Sequence, residues 1–457
     1  MSRRVVITGM GWITPLGCGV ESAWRALLEG RSAIGPVTRY DTSTFATNFA
    51  AEVKGFRLSD FIPDPARLAA CREAGLHAQY ALAAAAMAWE QSGLGTRNGE
   101  PRYAGLNARR VGVYLGAGEG CLDYPNFVAT NLASWDGGSR AVDARRWAEA
   151  ALSRMDVRRE LEQEPNAALT HVASAFGCRG PAFNCMTACA ASTQAVGEAF
   201  EMLRRGDADV MLAGGSHSMI HLLGMTGFIR LTAMSTRRET PESAARPFDQ
   251  TRDGFVMGEG AGVVVLETLE HFEKRSREEE GRSEPLAELV GYGSSADAFR
   301  ITDMHPEGKG PASAMSRALR QAGIDPREPR EGGRAPVDYV SAHGTGTSEN
   351  DSIETRAIRQ VFGAQAPRLA VSSVKSMMGH LIQAAGAVEL MTCVQAIRTG
   401  WLPPTMNLQR PDPECDLDYI PNRARNLNPT GGVEVCLSNS FGFGGQNDTL
   451  VVRRFRP

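Results

Sequence analysis

Short β-branched runs alternate with longer alanine-rich stretches of helical period along the whole chain. The pattern predicts strands over residues 4–8, 110–115, 210–212, 262–266, 287–291, 337–341, 370–373 and 433–437. Helical spacing predicts helices over 20–28, 76–91, 190–205, 311–321, 352–362 and 382–399. Alternation of this kind predicts an α/β protein whose sheets are largely buried. The most polar stretch, residues 270–285, lies between two strand signals and reads as an exposed helix end and loop. It divides the chain into two parts that each begin and end with strands. No short repeat is visible, so any duplication is too diverged to read.

Composition narrows this picture. A chain of 457 residues is long enough for a large core, and length alone suggests about three domains. Its 49 basic against 52 acidic side chains argue against a dedicated nucleic-acid binder, and its 42% hydrophobic content argues against global disorder. The longest apolar run, residues 80–89, is about half of what a membrane span needs. Arg3-Arg4 before an apolar stretch imitates an export signal. The glycine-punctuated Val5-Val6-Ile7-Thr8-Gly9-Met10-Gly11 that follows reads instead as a first buried strand, with no small-residue cleavage site after it. Nine cysteines are scattered without any Cys-x-x-Cys pair, which supports neither a zinc site nor a thioredoxin motif. Scattered thiols point to a reducing, cytoplasmic setting, with one of them a candidate for reactivity.

Two glycine clusters imitate known loops. Gly116-Ala117-Gly118-Glu119-Gly120 follows a strand, but its spacing is not that of a dinucleotide loop, and Asp123 and Pro125 interrupt any helix after it. Gly214-Gly215-Ser216-His217-Ser218 is not a nucleophile elbow, and His217 reads as a packed or loop histidine. No phosphate-binding Walker sequence occurs.

The stronger signal is Asn184-Cys185-Met186-Thr187-Ala188-Cys189-Ala190-Ala191-Ser192, where an apolar segment meets small residues and then a helix. A thiol at that junction sits at a helix N-terminus, whose dipole and free N–H groups favour thiolate. Alone, Cys189 would be read as a small buried residue. Two further segments change that. His343 follows a strand in the glycine-flanked Gly344-Thr345-Gly346-Thr347 loop, and Lys375, Gly379 and His380 follow another strand before an alanine-rich helix. Two histidines on strand-end loops, with a lysine and a helix-cap cysteine, form a nucleophile and acid/base set. Asn439-Ser440-Phe441-Gly442-Phe443-Gly444-Gly445 ends a strand with two aromatics on a flexible loop.

In order and spacing these segments resemble the β-ketoacyl-[acyl-carrier-protein] synthases, condensing enzymes of the thiolase superfamily. The likeness runs from Val5 to Leu450 and includes Arg246-Pro247-Phe248-Asp249 and Arg252-Asp253-Gly254-Phe255. It is to the elongating Cys-His-His class, with a type II polyketide-like branch left open. The resemblance implies a thiolase-like fold: duplicated α/β halves in a layered α-β-α-β-α sandwich. Residues 1–272 would carry the nucleophilic cysteine and a cap insertion at about 121–166, and residues 273–457 the two histidines and the lysine.

The resemblance also implies a mechanism. Cys189 would accept an acyl chain and condense it with malonyl-[acyl-carrier protein], with loss of carbon dioxide. His343 and His380 would promote decarboxylation and hold the enolate. Thr345 and Thr347 would bind the phosphopantetheine arm. The N–H groups of Cys189 and Phe443 would form an oxyanion hole. Phe443 would gate against Phe228 on a facing loop, with Phe441 lining the site. Lys375, paired with Glu354, would orient the histidines, and Glu389 would support them. No metal or cofactor is implied, since phosphopantetheine belongs to the carrier-protein substrate. A homodimer is expected, a heterodimer is left open, and neither nucleic acid nor membrane insertion is expected. The alternative from another class is a noncatalytic, chain-length-factor-like partner subunit. Such partners usually lose the cysteine, which is present here.

Three departures stand out. The stretch between Gly120 and Cys189 is long and rich in Arg and Trp, including Trp135, Arg140, Arg145, Arg146 and Trp147, and is a candidate for meeting the acidic carrier protein, as are Arg67 and Arg72. Glu119 aligns with an acyl-pocket position where an alkyl chain would oppose a carboxylate, which suggests a polar, shortened or polyene-type chain. Gln446 also departs from the family's usual Thr.

Overall fold

The computed structural model describes residues 3–97, 100–101, 103–118, 123–278 and 284–457. One eleven-stranded sheet runs through the molecule. Its first half is built from β1 (Val5–Thr14), β2 (Val111–Gly116), β3 (Ala182–Cys185), β4 (Val210–His217) and β5 (Gly260–Thr268). The second half is β6 (Ala287–Ala296), β7 (Tyr339–Ser341), β8 (Ala370–Ser372), β9 (Val435–Gly442) and β10 (Gln446–Arg453). The eleventh strand, Gly17–Cys18, pairs with β1 at its far end.

The spatial order is β3-β2-β4-β5-β1-β6-β10-β9-β7-β8. Each half therefore runs third, second, fourth, fifth and first strand of its own set, and the halves are joined by a short antiparallel pairing of Val5, Val6 and Ile7 with Leu289, Glu288 and Ala287. Three parallel strands followed by two antiparallel ones occur in both. The duplication that no sequence repeat disclosed is thus explicit in the topology, and the length-based expectation of three domains gives way to two copies of one α/β unit.

Helices fill the layers between and outside the halves. Central α2 (Ala191–Arg205) and α5 (Ala385–Thr399) pack on each other and on strands of both halves. Residues 385–397 of α5 are buried throughout, as expected of a helix with protein on every side. Outer helices α1 (Leu76–Gln91) and α3 (Lys309–Gln321) cover β1 and β6 respectively. A Cβ on Gly9 or Gly11 of β1 would lie 1.9 and 2.2 Å from the carbonyl oxygens of Ala88 and Ala84. On β6, a Cβ on Gly291 or Gly293 would lie 2.2 and 2.1 Å from those of Ala318 and Ala314. The same glycine pair on the first strand of each half lets an alanine-rich helix lie against the sheet. That leaves a five-layered α-β-α-β-α arrangement, completed on the second side by α4 (Ser348–Phe362).

Predicted helices 20–28 and 76–91 match helices Val20–Leu28 and α1. The strand at β10 was not predicted and β3 was not read as one. The supposed loop after Asn439 is largely strand: β9 continues through Gly442, so Phe441 is a strand residue, and only residues 443–445 turn into β10. Helix Leu269–Glu278 occupies the first part of the polar stretch 270–285, and residues 279–283 lie outside the described part. Between β2 and β3, helices Tyr124–Ala133, Ala144–Arg154 and Val157–Leu161 form the insertion, with Arg140, Arg145 and Arg146 exposed and Asp143 and Asp156 capping helix N-termini. Among the described residues, no helix is long and apolar enough to cross a membrane.

Candidate active site

Cys189 sits in a single 3-10 turn, Ala188–Ala190, between β3 and α2. Ala188 is held at a φ of 46°, a left-handed conformation costly for a residue with a Cβ. The strained turn places the buried Sγ where the two halves meet, with the backbone amides of Phe443 and of Cys189 itself beside it. Two amides from different halves converge there because Gly442 lets β9 close on the turn. A Cβ at Gly442 would lie 2.9 Å from the Thr187 carbonyl oxygen and 3.2 Å from the Cys189 nitrogen. The Gly442→Ala variant is expected to lose about tenfold or more in kcat by displacing the backbone amides at the sulfur, and to melt at a lower temperature because its Cβ meets backbone atoms. Steady-state kinetics beside a melting curve checks this.

His343 and His380 arrive from the other half. His343 follows β7, and its backbone N–H and that of Gly344 donate to Glu354 of α4 at 2.9 and 2.8 Å, while Asn439 Nδ2 donates to the same carboxylate at 3.1 Å. His380 follows the short helix Lys375–Met378 and is fixed by its N–H to the Val256 carbonyl at 2.7 Å. The Ile382 N–H donates to His380 Nδ1 at 3.2 Å, which puts that ring's proton on Nε2. Ile382, a β-branched residue at a φ of 45°, is strained into the position that makes this bond. Among the described residues, neither His380 Nε2 nor His343 Nδ1 has a hydrogen-bond partner, although both are buried. The two rings meet edge to face at 5.4 Å, and Cys189 Sγ and a nitrogen of each ring lie within 4.8 Å of one another.

Burial dominates the electrostatics. Desolvation pushes the Cys189 thiol up to about 11, against the Lys375 charge and the two amide donors. The expectation of a thiolate stabilised at rest is therefore corrected: the turn supplies the helix terminus and the N–H groups, but burial outweighs them. Desolvation, then the Lys375 charge, hold His343 and His380 well below the ordinary imidazole range, so both rings are neutral at pH 7. Alkylation of Cys189 by iodoacetamide, which needs thiolate, is expected to be slow at pH 7. It should still climb between pH 8 and 10, by about tenfold per unit below the thiol's pKa. A plateau by pH 8 would contradict this.

Lys375 is paired differently from the expectation. Its Nζ contacts Glu389 of α5, not Glu354, and both partners are buried. Glu354 is occupied instead with the backbone of the His343 loop. Burial raises each carboxyl to about 7, opposed at Glu389 by Lys375 and at Glu354 by its N–H donors.

A cavity of about 240 Å³ opens on this cluster, lined among others by Cys189, His343, His380, Thr345, Thr347 and Asn350. Phe441 and Phe443 also border it, Phe441 buried and Phe443 half-buried. Phe228 lies on helix Leu222–Arg230 rather than on a loop. Its ring is 6.0 Å from Phe255, whose ring in turn lies 5.4 Å from that of His380. Cys189 thus borders the cavity and also packs in an apolar cluster with Met225, Met234, Phe255 and Ile382, of which Phe255 lines the cavity as well.

The β-ketoacyl synthase N-terminal domain model matches residues 2–271, and the β-ketoacyl synthase C-terminal domain model matches residues 286–409. The chain belongs to the β-ketoacyl synthase family. It is 41% identical over 456 residues to a 3-oxoacyl-[acyl-carrier-protein] synthase 2 of Coxiella burnetii, covering 99% of both chains. Two solved structures superpose over 100% of both chains. The ishigamide ketosynthase/chain length factor does so at a TM-score of 0.82 and 32% identity. A type II polyketide acyl-carrier protein in complex with its ketosynthase bound to the hexaketide does so at 0.80 and 31%. This β-ketoacyl synthase is an acyltransferase that condenses an acyl chain with malonyl-[acyl-carrier protein].

The remaining sequence expectations divide by location. Glu119 lies outside the described residues, as do Gly120 and Cys121. His217 is a packed, fully buried histidine at the end of β4. The Cys189–His343–His380 set has the residue types of a zinc site, but its surroundings suit a metal poorly. Zinc on His380 Nε2 would move the ring proton to Nδ1, against the Ile382 N–H, and the Lys375 charge would repel a dication. Sequence reading missed Phe255, Asn350 and Asn439 as site residues. Phe255 and Asn439 stood inside segments already singled out, yet nothing along the chain says which of their side chains turn inward.

Proposed function

We propose that this β-ketoacyl synthase carries out its condensation on Cys189, with His343 and His380 serving the malonyl half-reaction. The observation that carries the reading is the approach of Cys189 Sγ and the two neutral imidazoles within 4.8 Å, beside the cavity. A thiol held neutral by burial passes its proton to an imidazole as the sulfur attacks the acyl thioester. The carrier arm's C–S bond breaks, and the arm leaves as a thiol carrying that proton. The malonyl thioester then occupies the cavity. Its C–C bond to the carboxylate breaks, carbon dioxide departs, and the electron pair moves toward the thioester oxygen, where imidazole N–H donors stabilise it. The carbanion attacks the acyl-Cys189 carbonyl, whose oxygen takes the N–H groups of Cys189 and Phe443. Collapse expels the Cys189 sulfur, which recovers a proton.

Burial first, and the Lys375 charge beside it, keep both rings neutral and so able to donate and accept. Thr345 and Thr347, whose hydroxyls lie 3.0 Å apart on the cavity wall, receive the phosphopantetheine arm. Greater identity to the curated 3-oxoacyl synthase than to the polyketide structures favours fatty-acid elongation. The partners are an acyl carrier protein and a second copy of the chain. Strand β3 ends the sheet, with Phe183 and Met186 exposed beside it, and such an unpaired edge suits strand pairing across a two-fold axis. Free cysteines among the described residues suit a cytoplasmic setting. Incubation with malonyl-[acyl-carrier protein] and a panel of acyl primers, followed by product identification, tests the reading. Products longer by two carbons support it, and transfer without loss of carbon dioxide overturns it.

A further inference from the structure

The loop that carries Thr345 and Thr347 has no regular structure of its own. Residues 342–347 run between β7 and α4 without helix or strand, and Gly344 and Gly346 sit at φ of 36° and 80°. Glycines in such conformations leave the backbone free to relax, so the shape of the loop has to be imposed from outside. A side chain of the other half does much of this. Arg252, in the segment before β5, is buried where the halves meet, its side chain 5% exposed. Its Nε donates to the Thr347 carbonyl at 2.9 Å and its Nη2 to the Ser348 carbonyl at 2.8 Å. Nη1 donates to the Asp249 carbonyl at 3.1 Å and to the Asp412 carboxylate. The fully buried Asp351 carboxylate lies 3.7 Å from Nε and takes the N–H groups of Gly346 at 3.2 Å and Phe248 at 2.7 Å.

These bonds tie the cavity wall of one half to that of the other. Just beyond Arg252, the Gly254 N–H donates to the Gly346 carbonyl at 3.1 Å. Gly254 and Phe255 of the first half line the cavity at Cys189, as do Thr345, Thr347 and Ser348 of the second. A guanidinium directs five N–H donors in a fixed plane and can hold several carbonyls and a carboxylate at once. An ammonium in its place has one nitrogen and cannot span them. We propose that Arg252 is a positioning residue: it locks the Thr345–Ser348 loop to the first half and so sets where the carrier arm lies relative to the Cys189 sulfur. The inference rests on the proposed reception of the arm by Thr345 and Thr347 and deepens it, since it names what holds those hydroxyls in place. Arg252 is not among the residues that line the cavity, so its effect passes through the loop.

The test is a double-mutant cycle read in KM. Enzyme preloaded with a saturating acyl primer is given malonyl-pantetheine, and condensation is followed in the wild type, Arg252→Lys, Thr345→Ala/Thr347→Ala and the variant combining all these changes. Arg252→Lys keeps a positive charge beside Asp351 but gives up most of the fork. Its KM for malonyl-pantetheine is expected to rise about three- to tenfold, with a smaller change in kcat. Without the threonine hydroxyls the same substitution is expected to change KM by less than about twofold, since nothing is then left to position. Alkylation of Cys189 by iodoacetamide at pH 9 should proceed in Arg252→Lys at the wild-type rate. An equal KM rise in both backgrounds, a loss confined to kcat, or an altered alkylation rate would overturn the proposal, because a general loosening of the structure produces those. Should Arg252→Lys fail to fold, Asp412→Asn carries the test. It slackens the guanidinium from a carboxylate nearer the surface, with a smaller rise expected and the same dependence on the threonine hydroxyls. A wild-type KM in Thr345→Ala/Thr347→Ala would instead refute the reception of the arm by the threonines, and this inference with it.

Discussion

The Cys189→Ala enzyme is expected to lose condensation by at least about 10⁴-fold, since the acyl chain then has no sulfur on which to wait for the malonyl unit. The loss should be chemical and not structural. Cys189 is buried in a small-residue turn, and removing one sulfur atom there leaves a void smaller than a methyl group, worth about 1 kcal/mol at most. Two measurements check this together: the rate of β-ketoacyl product formation, and the thermal midpoint. Retained condensing activity in Cys189→Ala would remove the sulfur from the mechanism. If the midpoint collapsed along with activity, the variant would say nothing of chemistry, and Cys189→Ser, closer in volume, would carry the test.

The second large effect concerns stability. Lys375 and Glu389 form a buried ion pair between the short helix after β8 and α5, at the centre of the molecule. Lys375→Met is expected to cost about 3–5 kcal/mol at pH 8, because it leaves the Glu389 carboxylate buried without a counter-charge. The pH dependence has a definite sign. Glu389 is already raised to about 7 by burial, and losing Lys375 raises it further. A carboxyl with a raised folded-state pKa is at no disadvantage below the unfolded value of about 4.3 and loses stability as pH rises from there to the folded value. The deficit of Lys375→Met should therefore be smaller at pH 5 than at pH 8. Adding Glu389→Gln removes the orphaned charge and should restore most of the stability while leaving condensation impaired, since the Lys375 charge that acts on Cys189, His343 and His380 is still missing. Urea midpoints of the single and double variants at the two pH values measure this. A double variant no more stable than the single one would show that the pair acts through packing and not charge.

How much was legible beforehand can be judged from particular residues. The helices at 20–28 and 76–91 were read to the residue because both signals are local, an amphipathic period in the first and an alanine-rich run of high helix propensity in the second. Strand β3 was missed because Ala182–Cys185 is only four residues of weak pattern on the edge of the sheet, half exposed in the single chain. The glycine pairs at Gly9/Gly11 and Gly291/Gly293 do mark the two halves, but each reads as an unrelated strand until Ala84, Ala88, Ala314 and Ala318 are seen lying against them.

Taken alone, the sequence determined the family, the candidate nucleophile and the pair of histidines, because each sits in a short motif whose chemistry depends on residue type and order. Only the tertiary structure decided which charges meet and which groups stay uncharged. The resemblance implied Lys375 and Glu354 as partners, yet α5 brings Glu389 to the ammonium and the His343 loop claims Glu354. The helix terminus at Cys189 argued for thiolate, yet the thiol is neutral, because the second half closes over it and removes the water that would solvate a charge. Desolvation and pairing are sums over neighbours distant in sequence, and no local pattern can supply them.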